Sequence, residues 1–342
     1  MVAKNHKKIQ SFFKYLIIFI IIFGLLLTFS NYRNLKTRLL AINPKDLISP
    51  VASSLSVYII EGLFLLTALR LFNERLSFPL AVKDSLVINS LGYFVSLGGI
   101  TPFATQIHVL DYHNISARKA TLTRILQVIF FGIFFDLLLI AAFVVILSNK
   151  RMDRINLVPV SIFTCFFLFL ISAFYLAIFW SKFRILVASA FVYVINMAIG
   201  FVAKRRRIQL SSVTGFLDDF RTGFATIMKH PLSLLQFVGI TVIDYVALLA
   251  VWYYSFHALH YEMNLWYMVL GVTIGHIVGI LSMVPGGIGT MEGSLALVYT
   301  AFGVPVEITL GAALIYRVSF NIIPFFMSIP IFLSLKRRES VS

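Results

Sequence analysis

The sequence predicts an all-α fold: a polytopic bundle of transmembrane helices built from two inverted repeats, each with a Gly/Pro-broken re-entrant helix. Three observations support this prediction. Of 342 residues, 59% are apolar and 13% are charged, which is about half the charged share of an ordinary soluble domain. Several apolar stretches reach the ~20 residues that a helix needs to cross a bilayer. Finally, one pattern of apolar runs and glycine breaks occurs twice along the chain.

The apolar runs define the elements in chain order, and they lie at 12–29, 50–72, 84–100, 125–147, 157–180, 185–203, 232–256, 265–284, 291–302 and 307–335. The first run follows a lysine-rich start, but no small-x-small cleavage site comes after it, so we expect an uncleaved helix rather than a signal peptide. Residues 204–231 carry aromatic residues at helical spacing among charges. This pattern predicts a helix that lies on the membrane surface. Pro231 is then expected to begin the next span.

We expect a single transmembrane domain over residues 1–342. Its parts are a first helix at 12–29, a first repeat at 50–147, a connecting helix and interfacial segment at 157–231, and a second repeat at 232–335. Because Lys and Arg concentrate in cytoplasmic loops, their distribution predicts a multi-pass protein of the plasma or inner membrane, with cytoplasmic N- and C-termini. Two topologies fit the charges almost equally. In one, 84–100 dips into the bilayer and returns and 185–203 lies at the interface, whereas in the other both stretches cross fully.

The internal repeat favours the topology with two re-entrant segments. Leu97–Pro102 resembles Pro285–Thr290 at an offset of 188 residues, and Asn114–Ser116 resembles Gly303–Pro305 at an offset of 189. If 84–100 dips into the bilayer from the cytoplasm, the later copy dips from outside, and the repeat is inverted. The alternative is that glycine-rich breaks recur by chance. Broken helices expose backbone groups that lipid cannot satisfy, so paired breaks predict a substrate site.

The candidate substrate-binding residues therefore lie at the two breaks, and they are Gly98, Gly99, Thr101, Pro102, Gln106, Pro285, Gly286, Gly287, Gly289, Glu292 and Arg317. Glu292 directly follows the second break, where a helix N-terminus favours a carboxylate. Arg317 has two interpretations. It either forms an internal salt bridge with Glu292, or it binds the phosphate of a lipid headgroup through its planar fork.

Charged residues inside a bilayer cost about 2.5–3.5 kcal/mol on insertion scales, so each one is a functional hypothesis. Glu61, Asp136, Asp244 and His276 are candidates for a charge relay on this ground. His276 lies beside a stripe of Gly271, Gly275 and Gly279, whose four-residue spacing predicts close packing of a neighbouring helix. The histidine is then either a buried hydrogen-bond partner or a proton carrier.

The sequence carries no signature of catalysis. It contains no GxSxG, no Walker-type GxxxxGK[ST] and no HExxH, so we expect no enzyme activity, no cofactor and no metal site. The net charge of +15 sits between apolar runs rather than along one face with interleaved aromatics, which argues against nucleic acid as a partner. Lys204–Arg207 is the densest basic cluster, and it either sets orientation or contacts anionic lipid.

The C-terminal motifs resemble a known family, and they are Val284–Glu292, Phe302–Pro305 and Tyr316-Arg317. They are similar to the signature of the lysylphosphatidylglycerol synthase transmembrane region, also called the flippase-like family. The first half agrees at Arg70, Gly99, Thr101–Ala104 and Gln106. Where many members carry Glu-Arg in the first half, this chain has Gln127-Val128, and Arg124 is the nearest substitute.

The resemblance implies a flippase-type module. In the multiple peptide resistance factor, that module is fused to an aminoacyl transferase domain, which we do not expect in this chain. The leading hypothesis is therefore translocation of a phospholipid or lipid-linked headgroup between leaflets. The alternatives are an ion-coupled transporter of a small solute and a membrane partner of a separate lipid-modifying transferase. The expected partners are membrane phospholipid and, in the last case, that transferase.

Overall fold

The structure is a computed structural model that describes residues 32–95, 101–148, 209–229, 231–282 and 284–339, together with single positions between 158 and 196. The predicted first helix at 12–29 lies outside the described residues, as does most of 157–208. The described residues are helical and contain no strand. The all-α prediction is confirmed.

Eleven helices are numbered in chain order through the described residues. They are α1 (Tyr32–Leu40), α2 (Ile48–Leu71), α3 (Phe78–Val95), α4 (Thr101–Asp111), α5 (Ala117–Ser148), α6 (Leu210–Met228), α7 (Pro231–His257), α8 (Leu265–Leu281), α9 (Thr290–Ala301), α10 (Val306–Tyr316) and α11 (Ile323–Glu339). A π-helical turn at Arg317–Ile322 joins α10 to α11. Short 3₁₀ turns lie at Pro44–Leu47 and Pro285–Gly287.

Four helices in the described part of the chain are long and apolar enough to cross a membrane, and they are Pro44–Leu71, Ala117–Ser148, Pro231–His257 and Val306–Leu335. Helix α8 is apolar but shorter. At 1.5 Å per residue, each of the four exceeds the ~30 Å of a hydrocarbon core. The prediction of several membrane-spanning helices is therefore confirmed.

Helices α2 and α7 pack along each other and share the most extensive helix–helix interface of the described fold. Helices α3 and α4 pack together as one hairpin, and α8 and α9 pack together as a second hairpin. The first hairpin also packs on α11 through α3, and the second packs on α5 through α8. Each hairpin is therefore held by the long helix that follows the other hairpin in the chain.

Local sequence explains how several helices begin. Pro231 opens α7, as predicted, because a proline in the first turn has no N–H to leave unsatisfied. Asn264 caps α8, where its side chain accepts hydrogen bonds from the N–H groups of Trp266 (2.9 Å) and Tyr267 (3.4 Å). A side-chain acceptor at this position satisfies donors that a helix start leaves unpaired.

Four helices end with a residue in the left-handed conformation, which turns the chain sharply. The residues are Asn73 after α2, Asn114 after α4, His260 after α7 and Gly303 after α9, with φ between 54° and 76°. In each case the next residue donates its N–H to a carbonyl five positions back. This is the Schellman geometry that satisfies the last carbonyls of a helix.

Two predicted boundaries need correction. Helix α3 begins at Phe78 rather than at residue 84. The charged residues Lys83 and Asp84 interrupt the apolar run but not the helix, because Lys83 is exposed and Asp84 is buried against His113. Helix α5 begins at Ala117 rather than 125. Its first two turns are polar, and a hydropathy pattern detects only the part that is apolar on every side.

Candidate functional site

The second glycine break is built on backbone conformations that only glycine adopts without cost. Gly286, Gly287 and Gly289 all have positive φ, at 61°, 61° and 84°. A Cβ on Gly287 would also lie 2.8 Å from the Cα of Gly279 on α8. The glycines therefore allow both the left-handed turns and the close approach of the break to α8.

The charged pair predicted at this break is present. Arg317 donates from Nε to Oε1 of Glu292 at 2.7 Å, and the N–H of Gly289 donates to the other carboxylate oxygen at 2.7 Å. The arginine also donates through Nη1 to the carbonyl of Gly286 and through Nη2 to that of Gly287, at 3.3 Å in the second case. We call these five residues, Gly286, Gly287, Gly289, Glu292 and Arg317, the break cluster.

The break cluster satisfies backbone carbonyls that the broken helix leaves without partners. Carbonyls at the break have no partner within a helix, and unsatisfied backbone groups are costly away from water. Arg317 supplies donors to two of them, and Glu292 balances its charge. The side chains are 14% and 6% exposed. Of the two interpretations of Arg317, the internal salt bridge is the one this geometry contains.

The first break lies partly outside the described residues, since Gly98 and Gly99 belong to 96–100. Thr101 begins α4. Pro102 packs against Gly92 on α3, where an added Cβ would lie 3.3 Å from the proline. Gln106 is 2% exposed and donates to the carbonyl of Ala120 at 3.0 Å, so it joins α4 to α5.

A second polar cluster joins three helices of the first half. Asn89 of α3 donates to Oε2 of Glu61 on α2 at 2.6 Å. Arg124 of α5 donates from Nη1 to Oδ1 of Asn89 at 2.9 Å and to Oε1 of Gln127 at 2.8 Å. We call Glu61, Asn89, Arg124 and Gln127 the first-half network. Arg124, the nearest substitute for the missing arginine of the first half, thus reaches Glu61 through an asparagine rather than by a direct bond to the carboxylate.

The four candidate relay residues do not form one chain of hydrogen bonds within the described residues. His276 is bonded to the carbonyl of Val272 at 2.8 Å and to the hydroxyl of Tyr316 at 3.2 Å. Asp244 is 2% exposed and lies within electrostatic range of Glu61 across the α2–α7 interface. Oδ1 of Asp244 and Oδ1 of Asp136 are buried and have no hydrogen-bond partner in the described structure.

The glycine stripe beside His276 packs as predicted. A Cβ on Gly271 would meet the ring of Tyr299 on α9 at 2.1 Å, and one on Gly275 would meet Leu295 at 3.0 Å. Gly279 faces Gly287 of the break. The stripe therefore lets α9 and the break cluster approach the backbone of α8. His276 acts in this arrangement as a buried hydrogen-bond partner between α8 and α10.

A family model for the lysylphosphatidylglycerol synthase TM region matches residues 12–327 of this chain. The chain belongs to this family. No curated protein matches it. Together with the four long apolar helices, the family assignment makes this a multi-pass membrane protein that belongs to a membrane region associated with lysylphosphatidylglycerol synthesis.

This family member also contains a buried pair that the sequence did not single out. Nε2 of His113, just after α4, lies 2.9 Å from Oδ2 of Asp84 on α3. Asp84 is fully buried, and it closes the α3–α4 hairpin at the end away from the break. The only sequence signal was a carboxylate at the edge of an apolar run, which also describes an ordinary boundary residue.

The part of the chain that the structure describes shows no group of three His, Cys, Asp or Glu side chains arranged to hold a metal ion. What the described site offers instead is two half-buried arginines, each bound to oxygen acceptors on neighbouring elements. In both cases the guanidinium lies on the helix that follows a broken hairpin.

Proposed function

We propose that this protein moves a phospholipid, or a lipid-linked headgroup, between the two leaflets along a path at its two helix breaks. The observation that carries this proposal is the reciprocal packing of the hairpins. The α3–α4 hairpin packs on α11, and the α8–α9 hairpin packs on α5. Such an exchange of elements between halves supports a pair of repeats that enclose one site.

The positions of the helix ends support the same pairing. Asn73 and His260 are 187 residues apart, and Asn114 and Gly303 are 189 apart, yet both pairs have the same left-handed end geometry. Helices α4 and α9, which follow the breaks, begin at Thr101 and Thr290. We take residues 50–147 and 232–335 as the two repeats, with opposite orientation in the bilayer and a re-entrant hairpin in each. Transporters with inverted repeats place their substrate between the broken helices.

The chemistry at the breaks suits a phosphate-bearing headgroup. Arg317 binds Glu292 through Nε, while its Nη groups face the carbonyls of the break. A guanidinium binds two phosphate oxygens at once, and it is more weakly hydrated than an ammonium. A lipid phosphate would take the place of the two carbonyls on Nη1 and Nη2, while Nε of Arg317 would keep its ion pair with Glu292.

The proposed location is the plasma or inner membrane, with both termini in the cytoplasm. The distribution of Lys and Arg between the apolar runs supports this orientation. Cysteine introduced at Ser211, an exposed position at the start of α6, should react with a membrane-impermeant maleimide only from the cytoplasmic side. Labelling from outside in intact cells would reverse the proposed orientation.

Leaflet exchange in proteoliposomes tests the proposed function. Phosphatidylglycerol with a fluorescent headgroup or tail is incorporated in both leaflets, and dithionite bleaches only the label that reaches the outer one. We expect the wild-type protein to accelerate exchange and Arg317→Lys, which keeps the charge but loses the fork, to slow it at least tenfold. Lys119→Gln removes an ion pair between α5 and Glu74 in the loop after α2 and is the matched control, which should exchange like the wild type.

Correct insertion of each variant is checked by gel filtration and circular dichroism. If folded Arg317→Lys protein exchanges lipid at the wild-type rate, Arg317 does not lie on the path. If the wild-type protein exchanges no phospholipid faster than protein-free vesicles, the proposed function is wrong.

One observation favours a second candidate, an ion-coupled transporter of a small solute. Asp136 and Asp244 each hold a buried carboxylate oxygen without a hydrogen-bond partner in the described structure. Membrane carboxylates of this kind mark ion and proton pathways. Solute uptake that depends on an imposed ion gradient, and that is lost in Asp244→Asn, would support this function over lipid movement.

The family assignment favours a third proposal, that the protein assists a separate lipid-modifying transferase. Copurification of the native protein with phosphatidylglycerol-modifying activity would support it. Absence of that activity from the purified membrane complex would argue against it.

A further inference from the structure

A groove lies between the C-terminal part of α2 and the N-terminal part of α7. Its volume is about 650 Å³, which is in the range of sites that hold small organic ligands. None of its lining residues belongs to the break cluster or to the first-half network. The groove is therefore separate from both polar clusters.

One end of the groove is apolar. Leu63 of α2 and Ile240 and Ile243 of α7 form it, and two of these side chains are well exposed, at 39% for Leu63 and 58% for Ile243. Both helices are among those long enough to cross the membrane. In a bilayer this end faces hydrocarbon, so it fits an acyl chain.

The other end is polar and carries a positive charge. It is formed by Arg70 and Asn73 from the end of α2 and by Ser233 and Gln236 from the start of α7. No hydrogen bond or ion pair joins these four side chains to another residue of the described structure. The groove lining contains no Asp or Glu, so the charge of Arg70 has no acidic partner there.

The two ends have the spacing of a phospholipid. Leu63 and Arg70 are seven residues apart on one helix, which is about 10 Å at 1.5 Å per residue. A phosphate on Arg70 therefore places the ester region and the first acyl carbons beside the apolar wall. We propose that this groove binds one anionic phospholipid, with its phosphate on Arg70 and one acyl chain against Leu63, Ile240 and Ile243.

This site is distinct from the proposed translocation path, and its occupation does not require leaflet exchange. Arg70 acts here as a ligand to phosphate, while Asn73, Ser233 and Gln236 bind phosphate or glycerol oxygens. An anionic lipid is favoured over a zwitterionic one because no carboxylate in the lining would hold a choline or ethanolamine group.

Native mass spectrometry of the detergent-purified full chain tests the proposal. The protein is incubated with equal concentrations of dioleoyl phosphatidylglycerol or dioleoyl phosphatidylcholine, and the fraction that retains one lipid is measured. We expect the wild type to retain phosphatidylglycerol several-fold better than phosphatidylcholine, because both lipids offer a phosphate to Arg70 but the choline of phosphatidylcholine offsets its negative charge. Arg70→Gln should remove that preference.

Gly239 offers a second variant that leaves the backbone unchanged. It lines the groove, and an added Cβ would meet no atom within 4 Å. Gly239→Leu should therefore fill the groove without strain and reduce retention of both lipids. Gly215→Leu is the matched control, because Gly215 on α6 also has no atom within 4 Å but does not line the groove.

Arg75→Gln controls for net charge, since Arg75 is exposed in the loop after α2 and lies outside the lining. It should leave the preference unchanged. Equal retention of the two lipids by the wild type would overturn the proposal, as would wild-type retention by Gly239→Leu or a wild-type preference in Arg70→Gln. Loss of leaflet exchange with retained lipid binding would instead separate this site from the proposed function.

Discussion

The packing of α9 against α8 makes a quantitative prediction at Gly271. A Cβ at this position would lie 2.1 Å from Cε1, 2.4 Å from Cζ and 2.7 Å from the hydroxyl oxygen of Tyr299. Carbon atoms in contact sit about 3.5–4.0 Å apart, so Gly271→Ala forces the tyrosine ring to move by more than about 1 Å. The ring is fully buried, and its hydroxyl donates to the carbonyl of Met268 at 3.1 Å.

The expected cost has two parts. Overpacking costs about 1–3 kcal/mol, and a displaced, unpaired hydroxyl adds about 1–3 kcal/mol. The better helix propensity of alanine returns at most about 1 kcal/mol. We therefore expect Gly271→Ala to lower the free energy of unfolding by about 3 kcal/mol.

The assay is unfolding in mixed micelles of increasing SDS fraction, followed by circular dichroism. Gly239→Ala is the matched control, because its Cβ meets nothing and should change the free energy of unfolding by less than about 1 kcal/mol in either direction. In the double variant Gly271→Ala/Tyr299→Leu the clash is relieved, so its loss of unfolding free energy should be smaller than the sum of the losses in the two single variants. Equal unfolding free energies for Gly271→Ala and the wild type would refute the packing.

Three further predictions use the same assay. Glu292→Gln leaves Arg317 without its counter-charge. Because an uncompensated buried charge costs about 3–5 kcal/mol, we expect the free energy of unfolding to fall by about 3 kcal/mol. A fall of less than about 1 kcal/mol would show that the ion pair is not needed to hold the break. Asp244→Asn removes a buried carboxylate whose Oδ1 has no partner in the described structure, so stability should stay level or rise, and a clear loss would reveal a bound cation. Asn89→Leu removes the bridge that ties Arg124 to α2, for which we expect a loss of about 2 kcal/mol; an unchanged protein would mean that the first-half network is not formed.

Much of the helical organisation could be predicted from the sequence, because hydropathy and helix-breaking residues act locally. Pro231 marks the start of α7, and the predicted run at 291–302 coincides with α9 to within one residue. The polar ends were harder to place. Helix α5 starts eight residues before its predicted run, since its first turns face protein and water rather than lipid alone.

The π-helical turn at Arg317–Ile322 had no signal in the sequence, because one extra residue in a helical turn does not alter hydropathy. Its effect is tertiary: the hydroxyl of Tyr58 on α2 donates to the carbonyl of Phe320 at 2.7 Å. This bond satisfies a carbonyl at the turn and ties the first half to the second. Such a contact depends on residues 262 positions apart, which no local pattern encodes.

Some residues of the candidate site could be predicted from the sequence, and others could not. Glu292 and Arg317 were predictable as partners, since a charge in an apolar segment requires a counter-charge. Asn89 was not, because an uncharged amide in an apolar run is common and its role depends on Glu61 and Arg124 from two other helices. Gln106 lies near a break in the sequence, and its bond to the carbonyl of Ala120 on α5 depends on the packing of two helices rather than on a local pattern.

Leaflet exchange by Arg124→Gln, compared with the wild type, tests most directly whether both halves of the protein contribute to one lipid path. Arg124 belongs to the first half, where it bonds Asn89 and Gln127 in the first-half network. If the path involves both breaks, Arg124→Gln protein that is shown to be folded should slow phosphatidylglycerol exchange about as much as Arg317→Lys does. Exchange by Arg124→Gln at the wild-type rate, with Arg317→Lys impaired, would contradict it and confine the path to the second half.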